Sequence, residues 1–113
     1  MAELVIGPDV IAAVAAQATL ATPGVLRLEP GVAELIGGWG RAARQQVLGM
    51  ARAASTGVTV ADGPVVRVSV SVTGRAADVG QAVQRAVAAA VEAGTGESLA
   101  GVEVSIVDIV MAP

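Results

Sequence analysis

Val65-Val66-Arg67-Val68-Ser69-Val70-Ser71-Val72-Thr73 alternates apolar and polar side chains almost from end to end. Successive side chains of a strand point to opposite faces, so Val66, Val68, Val70 and Val72 share one face and Arg67, Ser69, Ser71 and Thr73 the other. Such a strand buries one face and leaves the other wet or lightly covered. Upstream, Val58-Thr59-Val60 and the turn Ala61-Asp62-Gly63-Pro64 complete a hairpin with it. Downstream, Val79, Val83, Ala86, Val87, Ala90 and Val91 recur at helical spacing, with Gln81, Gln84, Arg85 and Glu92 opposite. This pattern predicts an amphipathic helix over Ala77 to Ala93, ended by Gly94-Thr95-Gly96. The last segment, Val102 to Met111, starts as an alternating strand with Val102, Val104 and Ile106 inward. Its second half, Val107-Asp108-Ile109-Val110-Met111, has apolar residues on both faces. A bulge, or a partner over the outer face, accounts for that change.

Working toward the start, Leu4-Val5-Ile6 reads as a brief strand closed by Gly7-Pro8. Pro8 suits a first helical turn and Asp9 complements its positive end. Val10, Ile11, Val14, Ala18 and Ala21 then form one predicted stripe, and the helix stops before Pro23-Gly24. Val25-Leu26-Arg27-Leu28 is a second short strand. Between Val32 and Thr56 an apolar helical stripe is interrupted by Gly37, Gly38 and Gly40, each costing roughly 1 kcal/mol relative to Ala within a helix. The expectation is a loop followed by a helix from Arg41 to Ala54.

One-sided strands and two amphipathic helices imply an α+β two-layer sandwich. Its mixed or antiparallel sheet has about four to five short strands, with two main helices on one face. The chain of 113 residues suits a single domain, 1–113, carrying a variable, helical or flexible insert at 34–56.

Composition narrows the chemistry. The chain has no His, Cys, Tyr or Phe, and all seven basic residues are Arg. General acid/base and nucleophilic catalysis draw mostly on His, Cys, Lys and shifted carboxylates, so an enzyme is not expected. Ordinary zinc sites need Cys or His, and no Asp/Asn-rich calcium loop occurs, so neither metal nor cofactor is expected. A net charge of −3 and a pI near 4.7 oppose binding to phosphate backbones, so no nucleic-acid partner is expected.

Val10 to Ala21 lacks the basic start of a signal peptide: Glu3 and Asp9 precede or open it, and Arg27 is the first basic residue. The chain is expected to stay inside the cell. Despite a mean hydropathy of +0.70, no apolar run approaches the ~20 residues needed to span a bilayer, so the protein is expected to be soluble.

The order and spacing of several segments resemble the alkaline-shock protein family, also called the envelope-stress-response family. The segments are Val10-Ile11-Ala12 through Ala15-Ala16 to Pro23-Gly24-Val25; Gly57-Val58-Thr59-Val60; Val66-Arg67-Val68-Ser69-Val70; Val79 through Val83, Gln84 and Val87 to Glu92; Thr95-Gly96; and Val102-Glu103-Val104-Ser105-Ile106. The resemblance covers most of the chain, although Glu34 to Thr56 matches little of the family and surface charge is sparser. It implies a non-enzymatic cytoplasmic protein that self-associates, associates with related copies, and lies near the membrane by binding a small membrane-embedded anchor protein.

Five residues are candidates for contact with partners. Trp39, the only aromatic residue, reads as an interface anchor or as a Trp folded over a thin edge of the core. Arg41, Arg44 and Arg52 give the insert a basic side or a solvated one. Arg67 shares the open sheet face with Ser69 and Ser71, and Asp108 comes near them if the last strand pairs with theirs. That face is an interaction surface or, alternatively, holds a small ligand beside Arg67. Gly37-Gly38-Trp39-Gly40 and Gly94-Thr95-Gly96 lack the lysine and the strand-to-helix setting of a phosphate loop and read as turns and caps.

Overall fold

The computed structural model describes residues 6–30 and 57–111. The elements are α1 (Pro8–Ala21), β1 (Val25–Leu28), β2 (Val58–Ala61), β3 (Val65–Thr73), α2 (Ala76–Thr95) and β4 (Gly101–Val110). They form the expected α+β two-layer arrangement. The predicted strand at Leu4-Val5-Ile6 falls mainly on residues outside those described, and Ile6 itself is not in a strand. The predicted insert helix also lies outside the described residues.

β3 is the centre of a mixed sheet. β4 runs parallel to it along its whole length, from Val65 beside Gly101 to Thr73 beside Val110. β1 and β2 are both antiparallel to β3, at Val70–Val72 and Val65–Val68 respectively. With one edge of β3 filled by β4, the two short strands lie end to end along the other. Ser69 spans the gap: its carbonyl accepts from the Glu29 N–H and its own N–H donates to the Gly57 carbonyl, both at 2.8 Å. Parallel strands require a crossover connection, and α2 supplies it between β3 and β4.

β1 and β4 both bulge at the same level of β3. On β1, Val25 pairs with Val72 but Arg27 pairs with Ser71, leaving Leu26 extra. On β4, Ile106 pairs with Val70 but Asp108 pairs with Ser71, leaving Val107 extra. The bulge resets the alternation, keeping Asp108 in the polar row of Ser71 and Ile109 in the apolar row of Val72. This accounts for the two-sided apolar pattern of the last strand.

The core lies between the sheet and one helical layer. Val58, Val66, Val68, Val70 and Val72 meet Val79, Val83, Val87 and Val91, which recur every fourth residue along α2. The two helices run in opposite directions. A Cβ at Gly94, near the end of α2, would come within 3.9 Å of Val14, whereas one at Gly24, just past α1, would come within 2.6 Å of Val79.

The predicted stripe of α1 needs correction. The buried residues are Ile11, Ala12, Ala15, Ala16 and Thr19, while Val10 and Leu20 are exposed and Val14 and Ala18 are partly buried. Small side chains face inward because they let the helix approach its neighbours closely. Thr19 fits among them because its hydroxyl donates to the Ala15 carbonyl at 2.7 Å, so this buried polar group is paired.

Candidate functional site

With both helices on one side, the other face of the sheet is the candidate site. Arg67 is positioned by the alternation of β3, between Thr59 of β2 and Glu103 of β4. Its Nε donates to Glu103 Oε2 at 2.7 Å, and both side chains are more than half exposed. An exposed pair of this kind contributes only about 0–1 kcal/mol, so its main effect is to orient two opposite charges on the surface. Ser69 and Ser105 form the next row, and Ser71 and Asp108 the row after the bulge. Asp108 is therefore beside Ser71, as expected for a last strand paired with β3.

Ser71 departs from the expected wet face: it is only 1% exposed. Its Oγ donates to Glu29 Oε1 at 2.9 Å, and the same carboxylate oxygen accepts from Arg27 Nε. The hydrogen bond from Ser71, followed by that from Arg27, holds the Glu29 carboxyl below the usual carboxylate range, while burial acts in the opposite direction. A carboxylate so stabilised is a weakened base, and Ser71 already donates to it. The chemistry of this trio is that of a clamp fastening the end of β1 to β3 across 42 residues of sequence.

The clamp stands at the root of the insert. Glu29 lies where the chain leaves β1, and Gly57, where it returns to β2, lies directly beside it. A Cβ at Gly57 would stand 2.5 Å from the Glu29 carbonyl oxygen and 3.0 Å from its nitrogen, and the backbone there has φ +81°. Only glycine accommodates both the close approach and the left-handed backbone.

Of the five sequence candidates, the structure places Arg67 on this face; Trp39, Arg41, Arg44 and Arg52 lie outside the described residues. The sequence reading did not single out Glu103, Arg27 or Glu29. Glu103 carried a usable signal, since its place in the polar alternation of the last strand matches that of Arg67. Glu29 carried none, because it follows β1 and reaches Ser71 only through long-range pairing. Among the described residues, no group of three or more acidic side chains could hold a metal ion, and no helix is long and apolar enough to cross a membrane. Compared with protein-family models, curated proteins and solved structures, the chain matches none.

Proposed function

We propose that this chain is a non-enzymatic interaction protein of the alkaline-shock, envelope-stress-response type, which self-associates and binds a membrane-embedded partner from the cytoplasmic side. The observation that carries this reading is the one-sided sandwich. Both helices cover the same face of the sheet, and the other face offers an array of oriented charges and hydroxyls: Arg67 with Glu103, Ser69 with Ser105, and the exposed Asp108. A surface of this kind suits contact with another polar surface better than enclosure of a small molecule, which favours concave pockets. Residues 34–56, with Trp39, Arg41, Arg44 and Arg52, lie in sequence between Glu29 and Gly57, which both bond to Ser69, and are the second contact region in this reading.

The test is affinity capture from the native membrane fraction, with light scattering of the purified protein over a range of concentrations. Recovery of a small membrane protein, together with reversible self-association, is the expected result. Arg67→Glu should reduce recovery by placing two acids opposite each other. A strict monomer that captures nothing, or a purified chain that turns over a substrate, would overturn the proposal.

A further inference from the structure

The outer edge of β4 has no strand beside it among the described residues. It is ten residues long, and Val107, Ile109, Val110 and the following Met111 are exposed. A long edge of this composition presents unpaired backbone donors and acceptors flanked by apolar side chains, the chemistry that recruits another strand. Ile109 adds a more specific observation. It continues the inward row of Val25 and Val72, yet Val72 is fully buried and Ile109 is 47% exposed. The helical layer stops short of it: Val79 sits over Gly24 at the β1 end of the row, and Gly80 faces Ile106 rather than Ile109. A core-facing isoleucine is thus left half uncovered at the margin of the sheet.

We infer that this edge pairs with the same edge of a second copy, antiparallel and centred on Ile109, so that two sheets join into one. The inference rests on the self-association proposed above and specifies where it occurs. β4 carries two acids and no base, Glu103 and Asp108, and these limit the alignments. With a two-fold axis perpendicular to the sheet, opposed residues share a face. Centring on Asp108 would set two carboxylates against each other, and placing Glu103 opposite Asp108 would do so twice. Centring on Val107 would oppose Asp108 to Ile106, which the bulge has put on opposite faces. Centring on Ile109 avoids all three conflicts. Ile109 then meets its own copy and Asp108 meets Val110, beyond the bulge where alternation is regular, so each isoleucine covers the other along the seam. Both helical layers lie on the same side of the joined sheet.

The chain lacks cysteine, which permits a direct test on the full-length protein. Directly opposed Cα atoms of antiparallel strands stand about 4.5–5.5 Å apart, within the about 4.4–6.8 Å that a disulfide spans. Ile109→Cys should therefore cross-link to itself under mild oxidation. Glu103→Cys should not, because the two copies of that residue would be on the order of 40 Å apart. Light scattering should show a dimer for the wild type, and Ile109→Lys, with circular dichroism confirming its fold, should weaken that dimer at least about 30-fold. A dimer that survives Ile109→Lys, or that cross-links as readily through Glu103→Cys, would overturn the edge pairing and leave self-association standing. A wild-type monomer at every concentration would overturn both. If only a chain lacking residues 1–5 dimerised, the edge would be occupied by the protein's own first residues, and the inference would fall.

Discussion

Glu29 concentrates the consequences of the site in one side chain. Hydrogen bonds from Ser71 and Arg27 lower its folded pKa, so the folded state favours the ionised form more than the unfolded chain does. Its stabilising contribution is complete above the unfolded value near 4.5 and is lost as pH falls through the lower folded value. Urea midpoints of the wild type and Glu29→Gln should therefore differ at neutral pH and converge on acidification; parallel pH profiles would show that the clamp carries no linkage. Beside it, Gly57→Ala is expected to cost about 2 kcal/mol or more, from an unfavourable left-handed residue and a forced contact with Glu29. Unchanged stability in that variant would mean that the approach of β2 to β1 is looser than the structure gives.

At the scale of elements, the four buried valines along α2 and the four buried valines along β3 form the structural centre of gravity. Val83→Ala removes two buried methyl groups from a site with no exposure and should cost about 2 kcal/mol. Val10→Ala, on the exposed side of α1, should change stability by no more than about 0.5 kcal/mol. Denaturation of the two variants tests the corrected orientation of α1, since the stripe read from sequence makes Val10 a core residue. Legibility followed contrast. β3 and α2 pair apolar with polar positions, so their periods expose their faces. α1 is apolar on almost every side, and its inward face is chosen by side-chain volume against neighbours that sequence alone does not place. The change in the last strand was visible as a break in alternation, but its level beside Ser71 is a matter of register. Arg67 was readable as part of a polar face, whereas the clamp required knowing that β1 pairs with β3.

For the molecule as a whole, the edge of β3 that β1 and β2 share brings the end of β1 beside the start of β2. The chain leaves the sheet at Glu29 and returns at Gly57, and both points bond to Ser69. Replacing residues 31–56 with a short Gly-containing turn should preserve the circular dichroism spectrum and cooperative unfolding while reducing capture of the membrane partner proposed above. Loss of cooperative unfolding would show that residues 31–56 belong to the cooperative unit. The same arrangement bears on the order in which the polypeptide organises. β2 and β3 close a short hairpin and α2 carries the chain from β3 to β4, whereas β1 reaches β3 only across 42 or more residues, so its closure follows that of the hairpin. The predicted route therefore forms the later segments as a nucleus and docks the first strand afterwards, with φ-values near zero for Leu28→Ala and clearly higher for Val68→Ala.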